Sequence, residues 1–158
     1  MRLAIIGGIG VVVLRMALFQ AGRSPQGMEF MLVHVLAIVT IVFFTGQGIL
    51  YKDRTIPFPD LMREGFKAAA VYAVLISLFL LAYYRWVEPD HFHVRVEEMV
   101  ARGLAEGQPE SVIRPRLEKF FTSFNYASMT FFSLLLLGGF NALVIGLLHH
   151  KVLRRFRR

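Results

Sequence analysis

Apolar residues along this chain gather into four long runs, Leu3 to Gln20, Met28 to Leu50, Ala68 to Val87 and Tyr126 to Leu148, separated by polar stretches. Each run is close to the ~20 residues that an α-helix needs to cross a hydrocarbon core about 30 Å thick. Inside lipid every backbone N–H and C=O must be satisfied within its own segment, so such runs form helices and not lipid-facing strands. The pattern therefore predicts an all-α integral membrane protein with four transmembrane helices in a single membrane domain over residues 1–158. Arg2 ahead of the first run is what a signal peptide would show. No small-x-small cleavage site follows, however, and Arg15 interrupts the run, so a membrane-spanning helix is expected there.

The connections differ in kind. "AGRSPQG" between the first two runs is a tight polar turn that folds them into an antiparallel hairpin. The second connection, "YKDRTIPFPDLMREGFK", holds an extended Pro57-Phe58-Pro59 segment, and Asp60 is placed to cap a short helix leading into the third run. Residues 88–125 are too long for a turn. Phe92, Val96, Met99, Val100 and Leu104 recur there at helical spacing, and after "EGQPES" so do Ile113, Leu117, Phe120, Phe121 and Phe124. Two amphipathic helices folded as a hairpin are expected, apolar faces against the bundle or the lipid headgroups, with Ser111 as the N-cap that makes Pro115 tolerable.

Composition agrees with the pattern and adds an orientation. Of the 158 residues 56% are apolar and only 18% charged, past the usual balance of a soluble domain. Four spans put both termini on one side. That side carries Arg2, then Lys52, Arg54, Arg63 and Lys67, then Lys151, Arg154, Arg155, Arg157 and Arg158, against Asp53, Asp60 and Glu64 only. On the other side Arg23, Arg85 and the basic residues of the long connection are balanced by the acids from Glu88 to Glu118. The positive-inside rule then places both termini on the cytoplasmic side of the membrane, with residues 88–125 outside. The basic tail, residues 149–158, is expected to hold anionic lipid and not nucleic acid, each cation contributing about 1 kcal/mol. The chain has no Cys, which excludes a disulfide scaffold.

Glu88, Asp90, His91, His93, Glu97 and Glu98 crowd into eleven residues of "YYRWVEPDHFHVRVEEM", Tyr83 to Met99. A metal centre needs convergent ligands, and His91 and His93, two residues apart, occupy different faces of a helix. The stretch is expected to be a surfacing point: Tyr83, Tyr84 and Trp86 form an interfacial aromatic belt, Arg85 snorkels, and Glu88 and Asp90 begin the aqueous helix. With no Walker loop, catalytic triad or chelating pair, no enzyme activity, cofactor or metal is expected.

The polar residues inside the runs are stronger candidates. At ~1.5 Å per residue Arg15, Glu29 and His34 lie about 7, 3 and 10 Å below the outer ends of the first two helices, so the three can meet in one intramembrane cluster. A charge in hydrocarbon costs from ~2.5 to over 10 kcal/mol, and a partner removes most of that. Arg15 is thus expected to pair with Glu29, or to reach a lipid headgroup phosphate. Gln47 and Asn141 are candidate interhelical hydrogen-bond partners, worth ~0.6 kcal/mol or little more. Gly7, Gly8, Gly10, Gly46, Gly48, Gly138, Gly139 and Gly146 offer small surfaces for close helix approach.

The segment "ILYKDRTIPFPDLMREGFKAAAVYAVLISLFLLAYYRWVEPDHF", with the "GLAEGQPESV" turn and the closing "GLLHHKVLRR", resembles a Gram-negative bacterial membrane family catalogued as domain of unknown function 4199. The shared features are a basic-aromatic exit from the second helix, an aromatic exit from the third ending in Pro89, an acidic hairpin and a basic tail. The resemblance covers most of the chain from Met28 onward and implies a four-helix integral membrane protein, with no reaction to carry over. Arg15 departs from the family's usually apolar first helix. The expected function is a non-catalytic inner-membrane accessory or scaffold subunit, acting through a membrane-protein partner or a second copy of itself. The alternative is binding of an anionic lipid or polyprenyl-phosphate beside a glycosyltransferase.

Overall fold

The computed structural model describes the backbone of residues 1–23 and 28–153, and the side chains of residues 1–23 and 30–152. Among the described residues the chain is all-helical: α1 (Arg2–Gln20), α2 (Met28–Lys52), α3 (Phe58–Trp86), α4 (His91–Ala105), α5 (Glu110–Phe120) and α6 (Ser123–Leu148), then one π-helical turn (His149–Leu153). Of these, α1, α2, α3 and α6 are long and apolar enough to cross a membrane. The third begins ten residues before its apolar run. Pro57 and Pro59 sit where a helix has backbone donors to spare, so the helix starts at Phe58 and continues unbroken through Lys67 into the run. Asp60 stands inside the first turn, where its charge suits the helix N-terminus, and not at the cap.

Two helices are closed by a glycine just past the C-cap. Gly22 (φ 71°) and Gly107 (φ 80°) take the left-handed conformation that closes a Schellman turn. After α1, Gly22 N–H donates to Phe19 O and Arg23 N–H to Leu18 O; after α4, Gly107 N–H donates to Leu104 O and Gln108 N–H to Gly103 O.

The chain forms two compact units, Met1–Ile76 with Phe131–Arg158, and Ser77–Thr130. In the first, Ala4, Gly8, Val11 and Arg15 make the buried stripe of α1 at spacings of four, three and four. Small residues let the helix backbones approach: a Cβ on Gly138 of α6 would lie 2.5 Å from Ala69 Cβ of α3, and one on Gly65 of α3 3.4 Å from Ala142 Cβ of α6. Outward faces are apolar too, with Ile6, Ile9 and Val13 of α1, Leu36 and Phe44 of α2, and Phe132, Leu136 and Phe140 of α6 exposed. Burial of one face and apolar exposure of the other is the pattern of a helix whose surroundings are themselves apolar.

The second unit holds the residues expected as a surfacing point, arranged differently. Tyr83 and Tyr84 are buried and not part of an outward belt, and only Trp86 points out, at 77% exposure. At about 100° per residue Tyr84 and Trp86 stand roughly 200° apart, so the three cannot share a face. The Tyr84 ring packs against His91, Phe92 and Tyr126 at centroid distances of 4.8, 4.8 and 5.2 Å. His91 Nδ1 lies 3.3 Å from Glu88 Oε1 while His93 is exposed, so the two imidazoles point apart.

The expected α4–α5 hairpin is present and is clasped by Arg114. Its guanidinium donates to both carboxylate oxygens of Glu97 on α4, Nη2 to Oε2 at 3.0 Å, and its Nε donates to Glu110 at 2.8 Å. Below it Ile113 seats against Gly103, where a Cβ would come within 2.7 Å. The N-cap of α5 is Pro109, extended at φ −72° and ψ 133°, and not Ser111, so Pro115 lies inside the helix and gives no N–H to Ser111 O. The Arg114 hydrogen bond holds the Glu97 carboxyl below its ordinary value of 4.5, and the same bond raises Arg114. A depressed carboxylate contributes stability that is present above that value and lost as pH falls below it. Amide exchange in α5 should thus be less protected at pH 3 than at pH 6, and Arg114→Gln should remove the difference; equal protection at both pH values in the parent protein would refute the clasp.

Candidate functional site: a buried arginine, histidine and tyrosine

Three helices of the first unit bring polar side chains into one buried cluster. Arg15 closes the buried stripe of α1 and is 3% exposed. Its guanidinium carbon stands 5.1 Å from the centroid of the Phe30 ring on α2, within cation–π range. One turn further along α2, His34 meets Phe30 edge-on at 5.1 Å and 88°. His34 Nδ1 is 2.7 Å from the hydroxyl of Tyr72 on α3, a hydrogen bond between two buried side chains. Ala68, Ala69 and Ala73, neighbours of Tyr72 in α3, are buried as well, and a Cβ on Gly8 of α1 would lie 3.9 Å from the Tyr72 ring. The small residues let three helices close around an aromatic hydroxyl that an apolar interior otherwise disfavours.

Of the expected cluster, Arg15 and His34 are thus turned inward on neighbouring helices. Glu29 belongs to α2, but its side chain lies outside the described residues. Tyr72 is the member that sequence reasoning missed. Its one signal was a hydroxyl-bearing residue four positions into an apolar run, weakened because Tyr is ordinary near membrane surfaces.

The other candidates sit apart. Asn141 Nδ2 donates 2.8 Å to Leu137 O of its own helix, and Gln47 is half-buried; among the described residues no hydrogen bond joins the two. His149, expected as the first residue of the tail, is 1% exposed instead. Its ring packs 4.9 Å from Phe43 and over Gly46 of α2, where a Cβ would come within 3.3 Å of the imidazole. Nδ1–H donates 2.8 Å to Ile145 O, which fixes the tautomer. The tail therefore begins after this residue. Its residues Arg154, Arg155, Arg157 and Arg158 lie outside the described residues, whereas Lys52, Arg54, Arg63 and Lys67 of the basic elbow are all exposed.

Chemically, the cluster holds one cation, an aromatic face and an imidazole–phenol pair, sealed between helices. Such a set can fix helix positions through satisfied polar contacts. No curated protein and no solved structure matches the chain. The match to a family model runs over residues 2–151, nearly the whole chain, and with the helices above it shows that the protein belongs to the family described as "Protein of unknown function (DUF4199)".

Proposed function

We propose that this protein is a non-catalytic, multi-pass subunit of the bacterial inner membrane, with both termini cytoplasmic, that works through contacts with a membrane-protein partner or a second copy of itself. The observation that carries this reading is the burial of its intramembrane polar groups: Arg15 is 3% exposed, His34 6% and Tyr72 0%. Polar side chains spent on internal contacts hold a scaffold together, whereas a headgroup site needs a cation that lipid can reach. The exposed elbow of Lys52, Arg54, Arg63 and Lys67 supports a second reading, the binding of an anionic lipid or polyprenyl-phosphate at the cytoplasmic surface.

Lipid mass spectrometry on protein purified in mild detergent separates the two. The scaffold reading expects the combined Arg54→Gln and Arg63→Gln variant of the elbow to leave the set of co-purifying anionic lipids unchanged. Loss of one stoichiometric lipid in that variant would replace it with the lipid-handling reading. Orientation is tested separately: a reporter active only in the cytoplasm should work when fused after Arg158 and fail when inserted at Gly107, and the reverse pattern would invert the topology.

A further inference from the structure

The charges of α5 are sorted by face. Arg114 gathers the acids, with Glu97 and Glu110 hydrogen-bonded and Glu118 at 3.9 Å. Val112, Arg116, Lys119 and Phe120, at spacings that stack on one helical face, lie elsewhere on the surface and are all exposed. Among the described residues neither Arg116 nor Lys119 forms an ion pair. The face thus presents two uncompensated cations beside Val112, 43% exposed, and Phe120, 51% exposed.

The end of this helix is tied to the start of α6. Thr122 Oγ1 accepts from Asn125 N–H at 3.1 Å, capping α6, and Asn125 Nδ2 reaches back to donate to Lys119 O at 2.9 Å and Phe120 O at 3.0 Å. Phe124, in the first turn of α6, is 67% exposed. If α6 spans a membrane, as the proposed function requires, these bonds hold the last turn of α5 at the depth where the span meets the headgroups.

We infer that the Val112, Arg116, Lys119 and Phe120 face of α5, with Phe124, is an anionic-lipid docking surface in the outer leaflet. The phenyl rings enter the acyl boundary and the two cations take headgroup phosphates. The occupant is lipid on grounds of charge: phosphate is the complement that Arg116 and Lys119 lack, and apolar side chains interleaved with cations suit the headgroup boundary. The inference rests on the membrane reading of α6.

The test uses full-length protein in vesicles of phosphatidylcholine and phosphatidylglycerol, one lipid or the other carrying brominated acyl chains that quench tryptophan. Trp86, the one native tryptophan, is 77% exposed and is first removed by Trp86→Phe. Single probes are then introduced as Phe120→Trp on the proposed face, Glu118→Trp on the acidic face and Leu136→Trp on the outward side of α6. Strong quenching of the Phe120→Trp and Leu136→Trp probes with little for Glu118→Trp is expected. Brominated phosphatidylglycerol should be the better quencher at position 120, and Arg116→Gln and Lys119→Gln should each reduce that preference up to about fivefold. Quenching at position 136 but not at 120 would overturn the docking surface alone. A position-120 probe shielded from both lipid and aqueous acrylamide would show a protein partner there and would equally overturn it. No quenching at position 136 would remove the membrane reading, and this inference with it.

Discussion

Gly138→Leu should lower the thermal midpoint of the detergent-solubilised protein by about 10 °C, while Gly10→Leu should shift it by no more than a few degrees. The difference follows from what each side chain meets. A Cβ at Gly138 would stand 2.5 Å from Ala69 Cβ, whereas nothing lies within 4 Å of one at Gly10. Overpacking a tight contact costs ~1–3 kcal/mol and more when backbones must part, and ~1 kcal/mol moves the midpoint of a chain this size by about 2–4 °C. Because the obstacle is a single methyl group, the cost has a specific remedy. Gly138→Ala should destabilise alone and regain most of the loss when combined with Ala69→Gly. Thermal unfolding of the four proteins checks this, and failure of the second substitution to rescue the first would mean that α3 and α6 do not meet at these residues.

The four long helices were legible in the sequence because an apolar run needs no partner to declare itself. Their limits were less so. Hydropathy stops at the charged residues Arg63, Glu64 and Lys67, but a helix does not, so the start of α3 at Phe58 lies ten residues before the visible run. Arg15 and His34 stood out as polar residues in apolar surroundings. What they would meet did not, because the bond from His34 to Tyr72 joins residues 38 apart and depends on how α2 and α3 are set against each other. The same applies to His149. Its burial follows from the room at Gly46, a fact of packing that no local spacing signals. Tyr83, Tyr84 and Trp86 give the converse lesson: their shared chemistry suggests a belt, and ring packing buries the two tyrosines while Trp86 stays exposed.

Arg15 carries the second large expected effect. Whatever answers its charge, the guanidinium is 3% exposed among apolar helices, so a change that leaves one buried charge without its counterpart should be costly. If Glu29 is the residue that answers Arg15, Glu29→Gln and Arg15→Met should each destabilise by ~3–5 kcal/mol, the range for breaking a buried ion pair from one side. The midpoint should fall by about 10 °C or more in either single variant. Tyr72→Phe, which deprives His34 of its hydrogen bond while keeping the ring, should cost only ~0.6 to 2 kcal/mol. A ranking with Tyr72→Phe above both would move the centre of the cluster from Arg15 to the imidazole–phenol pair.

The claim that this cluster is an internal joint of a scaffold stands most directly on the double-mutant cycle of Arg15→Met and Glu29→Gln, measured by thermal unfolding in detergent. If the two residues answer one another, the double variant loses far less than the sum of the single losses, because no buried charge is left unmatched. Strong coupling, with most of the single-variant loss recovered, is the predicted result. Additive losses, or a Glu29→Gln variant as stable as the parent, would contradict the account and leave Arg15 to a partner outside the chain.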